Sequence, residues 1–283
     1  MKRIKADAWL LLVALIWGAT FPLVKLALYY LPPFTFNTIR FALSVVIFLL
    51  LLPILRVDKF IIKETSKIGI KIGLVVFLGY SLQTLGMEYS SATNAGYITS
   101  LYVVLTPIVA RTLYGSIIRV KDVVCTCSAL FGMFLMSYSG ITGNLMLLGC
   151  ALAFAIEIAM ISHNSKLFCP FSLAFWQIFS VSLFSIPFSI FEITHFKENL
   201  IFAILKKDVL VALIVTAILA TVVARILQNR YQRYTTPTDA AVIFSLEGVF
   251  SHIFSLIFLG EKLSLIQYVG AVIIVISVMA VSL

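Results

Sequence analysis

Residues 82–115 read LQTLGMEYSSATNAGYITSLYVVLTPIVARTLYG, and residues 227–260 read LQNRYQRYTTPTDAAVIFSLEGVFSHIFSLIFLG. Aligned without a gap, the two share Leu82/Leu227, Gln83/Gln228, Tyr89/Tyr234, Thr93/Thr238, Ala95/Ala240 and Ile98/Ile243. They also share Ser100/Ser245, Leu101/Leu246, Val104/Val249, Ile108/Ile253 and Gly115/Gly260. An internal repeat of this length decides the architecture before any single residue does. In each copy an apolar helix ends, a short Thr/Ser/Ala turn follows, and a second apolar helix begins. The chain therefore carries one membrane hairpin twice.

Composition agrees. Of the 283 residues 61% are hydrophobic and only 12% charged, too few to coat a water-facing surface. Apolar runs of about twenty residues, the length that crosses a bilayer, recur throughout. The formal charge of +9 raises nucleic acid as a partner, but the basic residues sit in short loops instead of on one face or tail. The excess is topological, and no nucleic-acid partner is expected. Cys125, Cys127, Cys150 and Cys169 lie in or beside apolar segments and read as small buried hydrophobes, not as a disulfide or metal set. The basic N-terminus and its apolar run imitate a signal peptide, but the run is of spanning length and is read as a retained first helix.

The apolar pattern predicts ten spanning helices, at 8–28, 34–55, 68–87, 93–114 and 122–139, then 144–163, 172–191, 209–230, 238–259 and 264–283. Breakers mark the loops: Pro32 and Pro33, Gly140 to Gly143, Pro170 and Pro237. With the N-terminus in the cytoplasm, Lys2, Arg3, Lys5, Arg56, Lys59, Lys63, Lys67, Lys71, Arg119, Lys121, Lys166, Arg230 and Arg233 fall on or near that side. The opposite loops carry Lys197, Lys206, Lys207 and Lys262, offset by Glu192, Glu198, Asp208 and Glu261. That asymmetry places both termini in the cytoplasm. Five helices is an odd number, so the second repeat (141–283) enters the bilayer upside down relative to the first (1–140). Inverted repeats of this kind characterise alternating-access transporters, with the site near the midplane where the halves meet.

Several motifs carry a family resemblance: WGATFPLVK from Trp17, NAGYITSLYVVLTP from Asn94, QRYTTP from Gln232, FSLE from Phe244 and LGEK from Leu259. In combination, and over the whole chain, they resemble the EamA branch of the drug/metabolite transporter superfamily. The resemblance implies a basket of two inverted five-helix repeats around a central cavity, exporting or passing small metabolites such as amino acids. Gly248 stands where the branch usually has proline, and Asp239 where histidine is common.

A charged group at the centre of a spanning helix costs about 2.5–3.5 kcal/mol on insertion scales, so each one needs an explanation. Glu247, near the middle of the ninth helix, is the leading candidate for binding a substrate ammonium or carrying a proton, against a role as a structural strut. Its repeat equivalent is Tyr102, an aromatic with a polar tip suited to a cavity wall. Trp17, Thr20 and Phe154 lie at comparable depth, and Gln83 at a helix end. These six form the candidate substrate cavity. Glu157 can pair with Arg225 as a gate or as a neutralised structural pair, the structural reading being favoured. Lys25 and Arg40 are read as snorkelling anchors near the outer surface. Gln228 is read as a cap or as part of a cavity mouth. His252 lacks metal-spaced partners, so no metal or other cofactor is expected.

No phosphate-binding glycine loop is present, which argues against ATP-driven transport within this chain. A membrane-embedded enzyme needs a convergent catalytic set that two carboxylates and one nearby histidine do not supply; a non-transporting receptor is the third class. The expectation is a non-enzymatic secondary transporter of the cytoplasmic membrane. Its expected partners are a small-molecule substrate and lipid, and a homodimer is admitted. Reporter fusions at Gly140 and Lys166 are expected to label opposite sides of the membrane; labelling on the same side defeats this topology.

Overall fold

A computed structural model describes residues 2–54, 59–115, 120–136, 141–196 and 199–282. Gly140, Arg56, Arg119, Lys197 and Glu198, all used above, lie outside the described residues, as do the side chains of Lys2, Lys59, Lys121 and Cys125. Among the described residues there is no strand. The helices are α1 (Lys2–Ala27), α2 (Pro33–Ile54), α3 (Lys59–Glu88), α4 (Ala92–Thr99), α5 (Tyr102–Tyr114), α6 (Val120–Met136), α7 (Ile141–Asn164) and α8 (Pro170–His195). There follow α9 (Leu200–Ile204), α10 (Lys207–Val215), a π-helical segment (Thr216–Val223), α11 (Ala224–Tyr231), a 3-10 turn (Gln232–Tyr234), α12 (Pro237–Leu259) and α13 (Leu265–Ser282).

Eight spans among the described residues are long and apolar enough to cross a membrane. Two expected helices fall outside that set: α6 has 17 residues and α13 has 18, and these two pack against each other. The bundle is apolar outside and polar within. Leu50, Phe134 and Ile276 are 67%, 71% and 60% exposed, whereas Asn37, Ser44, Glu157, Gln177, Arg225 and Asn229 are buried. A bilayer solvates the first group at no cost, while the second must find partners inside. This is an all-helical membrane protein.

The two copies of the repeat begin and end alike. Ser91 caps α4 by accepting from the Asn94 amide at 3.1 Å, and Thr236 caps α12 by accepting from the Asp239 amide at 3.1 Å. Gly115 and Gly260 close the two copies at φ 70° and 64°, a left-handed conformation that favours glycine. Pro33, Pro170 and Pro237 each open a helix, where a missing N–H costs nothing.

Two expected helices are not continuous. The 93–114 helix is broken between α4 and α5, at Ser100 and Leu101. The Ser100 hydroxyl donates back to the Gly96 carbonyl at 2.8 Å, a local bond that competes with the helical ladder. The 209–230 helix contains the π-helical segment, whose wider turns place the Ala217 and Ala220 carbonyls to accept side chains from the facing helices: Ser44 at 3.1 Å and Trp17 at 3.0 Å. Apolar periodicity is blind to both features, because all these segments are similarly greasy.

Helices α1 and α12 cross closely. A Cβ on Gly18 would lie 2.4 Å from Phe250 Cβ and 2.9 Å from the Glu247 carbonyl. Gly248 stands within an unbroken α12 and lets α4 approach; a Cβ there would meet Ser100 Oγ at 2.8 Å. Small residues are what allow helices to close up in lipid. Gly18→Val is therefore expected to cost about 1–3 kcal/mol through overpacking, read as a lower melting temperature in detergent. Gly149→Ala, which meets only Leu82 Cδ1 at 3.1 Å, is expected to lower it far less.

Candidate functional site

Seven helices line one cavity. From α1 come Trp17, Thr20, Phe21 and Val24; from α2, Arg40; from α3, Tyr80, Gln83 and Met87. The other wall is Tyr102 of α5, Phe154, Glu157 and Ile158 of α7, Arg225 of α11 and Glu247 of α12. All eight residues singled out from sequence — Trp17, Thr20, Gln83, Tyr102, Phe154, Glu157, Arg225 and Glu247 — stand on this lining. It reaches from mid-helix positions to Val24 and Met87, next to the ends of α1 and α3.

Glu157 and Arg225 form a salt bridge of 2.5 Å with both side chains almost wholly buried. Gln228 completes it, accepting from the Arg225 guanidinium at 2.9 Å and donating to the same Glu157 oxygen at 3.0 Å. Gln228 is thus neither a cap nor a mouth residue; it spends both ends of its amide on the ion pair. That use is intelligible, because a buried pair repays its desolvation only when further hydrogen bonds satisfy the remaining atoms. Arg225 also lies over the rings of Trp17 and Tyr80, at 5.3 and 5.2 Å.

Glu247 differs. It is 4% exposed, and among the described residues it has no ion-pair partner. The Tyr102 hydroxyl lies beside its carboxyl without an aligned hydrogen bond. The break between α4 and α5 delivers Tyr102 to this spot as the first residue of α5. Trp17 is held by its bond to the Ala220 carbonyl and by Phe244, with ring centroids 5.2 Å apart.

The anchor reading of Arg40 is overturned. Arg40 is 3% exposed and lines the cavity, its Nε donating to Thr221 Oγ1 at 2.9 Å. It begins two turns inside α2 and bends inward because Tyr80 and Phe41 offer aromatic faces at 4.8 and 5.1 Å, an environment that holds guanidinium well. The Lys25 ammonium reaches the end of α3, donating to the Met87 carbonyl at 2.6 Å, where the C-terminal end of the helix favours a cation. Glu192 and Glu261, read as loop counter-charges, are helix caps. Glu192 accepts from the Phe34 and Thr35 amides at 3.0 and 2.7 Å, and Glu261 from the Ala92 and Thr93 amides at 3.0 and 2.9 Å. Tyr80 and Met87 were not singled out from sequence; a tyrosine or methionine in a spanning helix carries no signal of the face it occupies. His252 sits between Tyr97 and Tyr268, and no cluster of three or more His, Cys, Asp or Glu occurs among the described residues.

The sequence model of the EamA-like transporter family matches residues 4–138 and again residues 141–283. The chain belongs to that family. Among its relatives is an uncharacterized transporter of Archaeoglobus fulgidus, 48% identical over 285 residues, covering 100% of this chain and 87% of that protein. The uncharacterized transporter YvbV of Bacillus subtilis is 29% identical over 163 residues, covering 56% of this chain and 53% of its own. A solved crystal structure superposes with a TM-score of 0.71 at 15% identity, covering 98% of this chain and 96% of the other; at that identity the likeness is one of fold. This EamA-like transporter thus builds its cavity around charge. Breaking the pair by Glu157→Leu or Arg225→Leu strands a buried charge and is expected to cost about 3–5 kcal/mol. Removing both charges together is expected to recover most of that loss in thermal unfolding.

Proposed function

We propose that this EamA-like transporter is a secondary transporter that moves small organic metabolites, amino acids among them, through the central cavity by alternating access. The loop charges support a cytoplasmic position for both termini, and outward movement across the cytoplasmic membrane rests on the export role that the family resemblance implies. The observation that carries the reading is Glu247, an unpaired carboxyl on the wall of a cavity to which both sequence halves contribute. A site at the meeting of two halves is reached from either side when those halves rock.

The same reading takes the chain as two inverted five-helix repeats, 1–140 and 141–283, with α6 and α13 as the fifth and tenth crossings. Seventeen residues is at the short end of spanning length, about 17–25. The helix pairings support this. If α1 corresponds to α7, α2 to α8, α3 to α10 and α11, and α4 with α5 to α12, then α1 on α12 interchanges with α7 on α4 and α5. Likewise α3 on α7 interchanges with α10 and α11 on α1, while α2 on α8 and α6 on α13 map onto themselves. That is the contact pattern of a two-fold relation between the halves.

Glu247 serves as the group that meets a substrate ammonium or a proton. Glu247→Gln keeps shape and hydrogen bonding, so the protein is expected to fold while transport in liposomes falls or loses its dependence on pH between about 5 and 8. Wild-type flux across that range in the variant would make Glu247 a strut.

A further inference from the structure

We propose that Arg40 is the anion-binding group of the cavity and that the transported solute carries a carboxylate placed on it. The inference rests on the transport reading of the cavity and adds the chemical class of the substrate. Arg40 is almost fully buried, within a membrane bundle, on the lining of the cavity. Its neighbours are neutral: Thr221 Oγ1 takes Nε at 2.9 Å, and Tyr80 and Phe41 present their rings. No carboxylate among the described residues stands within ion-pair distance of it. Besides Tyr80, whose hydroxyl also acts on it, the charged group that bears on Arg40 is a second cation, Arg225.

Arg225 differs in one respect that decides the assignment. It has Glu157 and Gln228 for its own charge, and one Glu157 oxygen already receives both Arg225 and Gln228. The protein therefore balances one buried guanidinium with a carboxylate and leaves the other without. A buried cation with no counter-ion is expensive, and the expense disappears when an anion arrives from outside.

The chemistry selects the anion. With Nε held by Thr221, the outer edge of the guanidinium is a planar fork of N–H donors, which matches the two oxygens of a carboxylate. Thr221 belongs to the π-helical segment, so the fork is anchored to the facing half of the chain. Aromatic walls from Trp17, Phe21 and Phe154 leave an apolar body for the solute beyond its charged end. Glu247 stands on the same lining for a positive group if the solute has one.

The test uses the full chain in proteoliposomes and matched pairs that differ only at the anion: phenylacetate and phenylacetamide, L-leucine and L-leucinamide, succinate and succinamide. Within at least one pair the carboxylate is expected to move in preference to the amide. In Arg40→Gln that preference is expected to fall by about thirtyfold or more, the penalty of removing one partner of a buried charge pair; Arg40→Lys, which keeps the charge and loses the fork, recovers part of it. Arg40→Gln removes an uncompensated charge, so its melting temperature in detergent without solute is expected to stay near that of the wild type. This separates lost recognition from lost folding, and the carboxylate-to-amide ratio does not respond to a merely structural role. Should Arg40→Gln melt far below the wild type, the ratio in Arg40→Lys decides alone: an undiminished preference there overturns the assignment. Flux confined to amides or other uncharged and cationic solutes, or an unchanged ratio in Arg40→Gln, overturns the inference and leaves the transport reading standing. No flux of either member of any pair defeats both.

Discussion

The buried pair of Glu157 and Arg225 is the constraint on which the interior depends. Two charges inside a membrane bundle are costly unless further hydrogen bonds satisfy most of the atoms around them. Gln228 joins the two, and Asn229, one residue on, donates to the Arg225 carbonyl at 2.9 Å while exchanging bonds with Gln177. Gln232 then donates to the Ile158 carbonyl and the Ser162 hydroxyl, both at 2.7 Å. A polar seam thus runs down α7 and α11 and reaches α8. It fixes the wall against which Trp17, Tyr80 and Glu247 are set.

The opposite wall is attached through irregular backbone. The π-helical segment offers the Ala217 and Ala220 carbonyls and the Thr221 hydroxyl to Ser44, Trp17 and Arg40. Wide helical turns of this kind occur where a functional side chain must be received. The α4–α5 break does the corresponding service for Tyr102. In lipid such departures persist only where protein, not hydrocarbon, surrounds them, and residues 92–104 are buried throughout.

Much of this was legible in the sequence because the signals were periodic or categorical. Apolar runs marked the long helices, and the repeat marked the paired Thr/Ser/Ala turns in which the structure places the caps Ser91 and Thr236. A carboxyl in a greasy segment marked Glu247 and Glu157 without any need for geometry. What escaped was directional. Arg40 reads as an anchor because a long side chain near a helix start can reach water; only the placement of Tyr80 and Phe41 turns it inward. Gln228 reads as polar, but its two bonds depend on α7 lying alongside. The π-helical turns and the α4–α5 break leave no mark in hydropathy, since they change the angle between residues and not their character.

The caps at Glu192 and Glu261 have one further consequence. Each carboxylate belongs to the second half of the chain and ties down two amides at the start of a helix in the first half, α2 or α4. Both joints sit at helix ends, where a departing carboxylate and the amides it releases can be rehydrated bond for bond. The Glu157 seam is different in kind: it joins α7, α8 and α11, all in the second half, and braces that half without tying it to the first. Separation at the capped ends would trade one set of hydrogen bonds for another of similar worth and leave the seam untouched.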